Sequence, residues 1–168
     1  MTLDEITRVG INPALKLLPS GMDSREARVL LLAIGLQESR FTARRQLVGN
    51  PPRPTGPAKS FWQGEIGGGM VHGVRVHKAT RAHAAKLYEA RGVEPTDRAI
   101  WNAIEHDDVL AAGLARLLIY SDPFTLPKLG DSAAAWRLYA DRCWRPGKPH
   151  PQTWPGFYKQ ALEFATCG

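Results

Sequence analysis

An almost unbroken run of apolar side chains, Val29–Leu36, lies in the first quarter of the chain. The residues around it recur with helical spacing, at i, i+3, i+4 and i+7. These positions are Ala27, Leu30, Leu31 and Ile34. The pattern predicts a helix with a continuous apolar stripe, and the near absence of polar residues indicates that protein covers most of its surface.

A carboxylate lies at the end of this predicted helix. Asp23 and Ser24 are good N-cap residues, and Glu38 follows Ile34 by four positions, so its side chain projects from the apolar stripe. Burial there makes ionisation costly and raises the pKa, which suits a general acid near neutral pH. The ordinary alternative is a helix-end glutamate paired with an arginine that follows it. The candidate partners are Arg40, Arg44 and Arg45.

The rest of the pattern is also mostly helical. Predicted helices cover residues 3–18 with a break at Asn12-Pro13, 78–90, 96–120 with a break at 106–108, 131–141, and 154–164 with Phe157, Ala161, Phe164 and Ala165 inward. The proline-rich stretch between Phe41 and Gly56 predicts an exposed, stiff loop. Weak alternation from Val71 to Val76 suggests one short strand. We therefore predict a mainly α domain with long loops and at most a minimal β element.

Length and composition fit one globular domain. The chain has 168 residues, of which 43% are hydrophobic, enough for a substantial core. The first 19 residues lack the pattern of a secretory signal peptide, so we expect none, and no apolar stretch reaches the length of a membrane span. The net charge of +6 favours polyanionic partners without choosing among them. The two cysteines, Cys143 and Cys167, allow either a single bridge or free thiols.

Several short motifs follow one another in a recognisable order. Glu38-Ser39-Arg40-Phe41 ends an apolar helix, and Gly56–Gln63 ends in Phe61-Trp62-Gln63. A helical stretch over 102–120, an alanine-rich segment with a tyrosine over 133–139, and a closing helix over 154–164 come after them. This series resembles the lytic transglycosylases, lysozyme-like enzymes that cleave the glycan strands of bacterial cell walls. The resemblance spans residues 24–165, which leaves 1–22 as an N-terminal helical extension of a single lysozyme-like domain, 1–168.

The resemblance implies roles for individual residues. Glu38 would be the catalytic acid and then base, and cleavage would be non-hydrolytic, with a 1,6-anhydro product. The residues expected to contact substrate are Ser39, Phe61, Trp62, Gln63, Glu65, Trp136 and Tyr139. Trp62 and Tyr139 are the favoured sugar-stacking residues, and the Tyr139 hydroxyl can also polarise Glu38. Ser39 can instead bond to backbone. The family's leucine-methionine before the glutamine is Phe61-Trp62 here, which bears on the substrate contacts more than on the acid.

Other functions remain open from the sequence. Glu65 as a second carboxylate would make the protein a hydrolytic lysozyme. A domain without turnover would be a peptidoglycan-binding or structural component of a phage tail or secretion machine. A nucleic-acid binder ranks low, because no helix has a continuous basic face. We expect a monomer without cofactor or metal, because His72, His77 and Glu65 are more typical of surface loops than of a metal site. It would be made in the cytoplasm and reach the periplasmic cell wall through a membrane lesion or by injection, with a phage particle as one carrier.

Overall fold

The computed structural model describes residues 1–167 and confirms a mainly helical chain. Its α-helices are α1 (Leu3–Ile6), α2 (Asn12–Lys16), α3 (Arg25–Ser39), α4 (Val74–Val76), α5 (Arg81–Arg91), α6 (Asp97–Ala103), α7 (Asp108–Tyr120), α8 (Ser132–Arg137) and α9 (Trp154–Thr166). Short π-helical segments cover Thr7–Ile11, Gly69–Gly73 and Leu138–Cys143, and a 3₁₀ turn covers Ser20–Met22. Strands β1 (Arg45–Val48) and β2 (Arg53–Lys59) form one antiparallel pair. Across residues 1–167, no helix has both the length and the apolar character that a membrane span requires.

Two apolar helices, α3 and α7, form the centre of the core. Every residue from Val29 to Leu36 is buried, as is every residue from Leu110 to Ile119. Helix α3 packs against α9 and α7, while α7 also contacts α5 and the N-terminal helical segment. A fully buried leucine contributes about 1.5–3 kcal/mol, so this central pair supplies much of the driving force for folding.

The predicted helix starts are confirmed where a side chain caps them. Ser24 accepts a hydrogen bond from the Ala27 amide at 3.2 Å, which fixes the start of α3. Asp107 accepts one from the Leu110 amide at 2.9 Å, so the predicted break at 106–108 separates α6 from α7. These caps fix the register of the two central helices.

The predicted break at Asn12-Pro13 is wrong. The chain remains helical from Leu3 to Lys16, because the π-helical segment lies immediately before the proline. There the amide of Asn12 bonds to the carbonyl of Thr7, five residues back. The wider π turn accommodates Pro13, which has no amide hydrogen and whose ring crowds the preceding turn of an α-helix.

The predicted loop between Phe41 and Gly56 is also partly wrong, because it contains the hairpin. Arg45 pairs with Lys59 and Val48 pairs with Arg53, with a bulge after Arg45. Both members of a two-stranded sheet are edge strands, so prolines are tolerated where their missing amide faces away from the partner. The hairpin places residues of β1 beside the end of α3.

Two further expectations fail for reasons of helical spacing. Val71–Val76 is helical, because Met70, Val71 and Val74 bury one helical face. Phe164 is 36% exposed, because the buried face of α9 follows Trp154 at helical spacing and Phe164 lies outside that face. The inward positions of α9 are Trp154, Tyr158 and Ala161.

The two cysteines are free thiols.

Candidate active site

The end of α3 turns back sharply on itself. Arg40 and Phe41 both have left-handed backbone angles, with φ of 54° and 53°. The turn returns the Phe41 ring onto Gly35, one turn before the helix end, and leaves the ring fully buried. Phe41 is therefore a packing residue that closes the end of α3.

We expect Gly35→Ala to destabilise the protein by about 2 kcal/mol, because overpacking a rigid core typically costs about 1–3 kcal/mol. A Cβ atom at Gly35 would lie 2.1 Å from the Cζ atom of Phe41, so the ring must move. Urea unfolding measures this change in the free energy of unfolding.

The matched control is Gly156→Ala, in the first turn of α9. A Cβ atom there meets no atom within 4 Å, so this variant is expected to be neutral or slightly stabilised. Equal stability of the two alanine variants would contradict the packing role of Gly35.

Glu38 opens into a pocket of about 340 Å³. The pocket lies between the end of α3, β1 and the loop that follows β2. Its lining residues are Gln37, Glu38, Ser39, Arg40, Thr42, Ala43, Arg45, Gln46, Leu47 and Gln63. A larger hollow of about 450 Å³ lies near Val9, Arg91 and His106, but it shares none of these residues. Burial raises the pKa of a carboxyl group in each hollow, Glu38 in one and Asp108 in the other, but Asp108 is paired with Arg44.

The carboxyl group of Glu38 has a pKa raised from its ordinary 4.5 to about 7. Burial is the main cause, because an apolar surrounding disfavours the charged form. A hydrogen bond from Tyr139 opposes the shift, and the negative charge of Glu65 adds to it. Near neutral pH, Glu38 therefore exists in both protonation states, as an acid that later acts as a base requires.

The ordinary interpretation of Glu38 as an ion-paired helix end is not what the structure shows. Among residues 1–167, no arginine or lysine lies within ion-pair distance of its carboxylate. Arg44 instead pairs with Asp108. Because no cation compensates the charge of Glu38, burial favours its neutral form.

Tyr139 donates a hydrogen bond to Oε1 of Glu38 at 2.7 Å. It lies in the π-helical segment that follows α8, a type of segment often found at functional sites. The Trp154 ring stacks on it with centroids 5.2 Å apart and planes inclined by 3°, and the Trp136 ring lies 5.5 Å away. Burial and the neighbouring carboxylate raise the pKa of Tyr139, so it remains a hydrogen-bond donor. The Tyr139 ring is buried in this cluster, so its predicted sugar-stacking role is wrong. The cluster instead holds the hydroxyl against Glu38, as the alternative prediction had it.

The predicted sugar-stacking role of Trp62 is wrong, because its side chain is completely buried. Its indole nitrogen donates to the Leu31 carbonyl at 2.9 Å, and its own carbonyl accepts from Trp144 at 3.0 Å. Phe61 is also buried and packs edge-to-face on Phe41, so it has no face for a sugar. Both residues fix the loop after β2 against α3.

Ser39 adopts the backbone-bonding alternative. Its hydroxyl donates to the Phe61 carbonyl at 2.7 Å and accepts from the Phe41 amide at 3.1 Å. Because a hydroxyl has a single proton, none is left for a substrate N-acetyl group. Ser39 therefore joins the end of α3 to the loop after β2, and it also lines the pocket.

The remaining residues predicted to contact substrate lie at different distances from the pocket. Gln63 lines the pocket, and one of its amide protons is bonded to the Ser60 carbonyl at 2.7 Å, which leaves its other polar positions open. Glu65 is exposed and close enough to influence Glu38. Trp136 is half-buried beside Tyr139, as part of the aromatic cluster. Substrate contacts by Gln63, Glu65 and Trp136 remain predictions.

Backbone strain also concentrates at this pocket. Five non-glycine residues in the described chain have positive φ angles, and four of them lie in the two segments around Glu38. These four are Arg40, Phe41, Ser60 and Gln63. Each such residue costs about 1–2 kcal/mol, and strain of this kind clusters at functional sites.

Sequence reasoning missed several pocket residues. Arg45, Gln46 and Leu47 of β1 line the pocket, but the prolines of β2 gave no sign of the hairpin that places them there. Gln37 bonds to the carbonyl of His150 at 3.0 Å and to the hydroxyl of Thr153 at 3.0 Å. Gln37 therefore connects α3 to the loop before α9, and nothing in the sequence around Gln37 predicts this contact.

The histidines considered as metal ligands do not meet in one place. His72 contacts Asp97 at 2.8 Å, and His77 accepts a bond from the Ala79 amide. Within residues 1–167, no group of three or more His, Cys, Asp or Glu side chains has metal-binding proximity. His72 and His77 therefore make separate local contacts and do not form a shared metal site.

Comparison of this chain with protein-family models, with curated proteins and with solved structures found no match. Functional assignment therefore depends on the chemistry of the Glu38 pocket.

Proposed function

We propose that this protein cleaves the β-1,4 glycosidic bond between N-acetylmuramic acid and N-acetylglucosamine in bacterial peptidoglycan. The observation that carries this proposal is Glu38, a carboxyl group of pKa about 7 that opens into a pocket and accepts a hydrogen bond from Tyr139. Glycoside cleavage needs a protonated carboxylic acid beside the leaving oxygen, and a raised pKa provides one near neutral pH.

We propose a non-hydrolytic reaction in which Glu38 serves twice. Its neutral form first donates a proton to the glycosidic oxygen as the bond from that oxygen to C1 of the muramic acid breaks. The 6-hydroxyl of the same sugar then forms a bond to C1, and its proton passes to the Glu38 carboxylate. The product is a 1,6-anhydro sugar, the acid is regenerated and no water is consumed. One carboxyl group with a pKa near the working pH is sufficient for both steps.

A hydrolytic lysozyme mechanism is the second candidate. The observation in its favour is that the negative charge of Glu65 helps to raise the pKa of Glu38, so the second carboxylate is near the first. In that mechanism Glu65 acts as the second carboxylate, either on a water molecule or on the sugar. Glu65 is exposed and does not line the pocket, which favours the single-carboxylate reaction.

Product analysis distinguishes these mechanisms. Purified peptidoglycan is incubated with the protein, with Glu38→Gln and with Glu65→Gln, and the soluble fragments are identified by mass spectrometry. We expect fragments ending in 1,6-anhydro sugar from the unchanged protein and from Glu65→Gln, and none from Glu38→Gln. The isosteric glutamine keeps the shape of each side chain but cannot transfer the proton.

Other outcomes would change the assignment. Reducing ends that disappear in both variants would establish the hydrolase with Glu65 as its second carboxylate. Binding to peptidoglycan without any soluble fragment, from protein with a folded circular dichroism spectrum, would contradict the enzyme proposal. It would favour a non-catalytic wall-binding component of a phage tail or secretion machine.

A further inference from the structure

Two arginines lie in the Glu38 pocket without a carboxylate partner. Arg40 follows Glu38 at the end of α3, and Arg45 begins β1 on the opposite wall. Within residues 1–167, neither forms an ion pair. Several other arginines of the chain do pair with aspartate. These are Arg28, Arg44, Arg75, Arg91 and Arg142.

The hydrogen-bond donors of both guanidinium groups are largely free. Arg45 donates through Nε to the Gly56 carbonyl at 3.0 Å, and its two Nη groups have no acceptor among the described residues. The guanidinium of Arg40 lies 5.8 Å from the Phe157 ring centroid and makes no side-chain hydrogen bond to the described residues. The Nε bond of Arg45 orients its group, while the terminal donors stay available to a ligand.

The charge balance of the pocket favours an anion. Two permanent positive charges lie among the lining residues, whereas Glu38 is neutral for much of the time near pH 7 because its pKa is about 7. Glu65 lies outside the lining and acts on Glu38 through its charge alone, and Glu105, whose pKa Arg45 helps to lower, is paired with Lys59. A guanidinium presents paired N–H groups that match a carboxylate, so carboxylate binding is the chemistry this wall performs best.

We propose that Arg40 and Arg45 form a subsite for a carboxylate carried by the glycan next to the bond that is cleaved. This inference rests on the proposed function, because it takes the ligand to be a peptidoglycan strand. Two parts of that polymer carry the required group. One is the lactyl carboxylate on C3 of muramic acid, free where the stem peptide has been removed, and the other is a carboxylate of the stem peptide.

The test measures binding rather than turnover. In a Glu38→Gln background, titration calorimetry gives Kd values for peptide-bearing strands, for strands stripped of peptide by an amidase, and for a neutral N-acetylglucosamine oligomer of equal length. Arg40→Gln and Arg45→Gln are each expected to weaken binding of a carboxylate-bearing glycan about tenfold. That change corresponds to about 1.4 kcal/mol. Binding of the neutral oligomer should remain unchanged.

Two kinds of control accompany these variants. Arg53→Gln removes an exposed arginine at the far end of the same hairpin, outside the pocket lining, so it controls for general attraction between the basic protein and the polymer. Arg40→Lys and Arg45→Lys keep the charge and should restore part of the lost affinity. Such rescue separates recognition from damage to the hairpin.

Each outcome decides the proposal. Loss of affinity confined to the stripped strands identifies the lactyl carboxylate, and loss confined to peptide-bearing strands identifies the stem peptide. Equal weakening for all three glycans, or a similar loss in Arg53→Gln, would overturn the subsite. So would unchanged affinity in both glutamine variants. Binding is measured here without catalysis. If the protein failed to cleave peptidoglycan, the proposed reaction would be rejected, but the binding data would still show whether Arg40 and Arg45 recognise a carboxylate.

Discussion

Glu38→Gln is expected to lower the rate of glycan cleavage about 10³-fold or more and, at alkaline pH, to make the protein more stable. The loss of rate follows from removal of the proton donor, since general acid catalysis contributes about 10²–10⁴-fold. The gain in stability follows because glutamine stays neutral in a position where burial penalises a charged carboxylate.

The sign of the stability effect follows from the two pKa values of Glu38. In the folded protein its pKa is about 7, compared with the ordinary 4.5 expected after unfolding. Below pH 4.5 both states are protonated, so the shift costs nothing. As the pH rises from 4.5 through 7, the unfolded state loses its proton first and gains relative stability. Above pH 7 the penalty is complete, at roughly 3 kcal/mol, and Glu38→Gln removes it.

Urea unfolding between pH 4 and pH 9 measures this difference. The free energies of unfolding of the two proteins should converge near pH 4 and separate above pH 7, with the variant more stable. Glu65→Gln is the control, because its exposed side chain should not produce a comparable gain. A constant difference across the pH range would contradict the raised pKa, whatever the activity results show.

Local pattern was enough to predict α3 and the position of its carboxylate. The stripe that contains Leu31 and Ile34 fixes one face of the helix, and Glu38 continues that face by spacing alone. Burial of this face therefore predicts an apolar surrounding for Glu38 from the sequence alone, without reference to any tertiary contact. The break before Asp108 was equally local, because a single side chain caps the next helix.

The walls of the pocket depend on contacts between distant segments, which periodicity does not encode. Arg45 lines the Glu38 pocket because β1 pairs with β2, although the prolines of β2 predict an irregular loop. Trp62 was assigned to the substrate because of its residue type. Whether an aromatic ring binds a sugar or fills a core depends on its neighbours, and here its nitrogen bonds to the Leu31 carbonyl inside the core.

Tyr139→Phe is expected to reduce kcat about 10–100-fold and to move the alkaline fall of the pH–rate profile to higher pH. The hydroxyl hydrogen bond to Glu38 lowers the pKa of that carboxyl, so its loss allows burial to raise the pKa further. A general acid is active while protonated, and a higher pKa extends the protonated range upward. The rate falls because Tyr139 is a positioning residue for the carboxyl group, and small errors in alignment are costly. KM should change little, since the tyrosine ring is buried.

The measurement is kcat and KM on soluble glycan strands from pH 5 to pH 9, with two companions that make the interpretation specific. Tyr158→Phe removes a buried tyrosine hydroxyl that accepts from the Gly130 amide, away from Glu38, and should leave the profile in place. Glu65→Gln removes a negative charge that raises the pKa of Glu38. The alkaline limb of the pH–rate profile of this variant should therefore move to lower pH. Opposite displacements for Tyr139→Phe and Glu65→Gln would assign the titration to Glu38. A profile that neither variant moves would mean that another group supplies the proton.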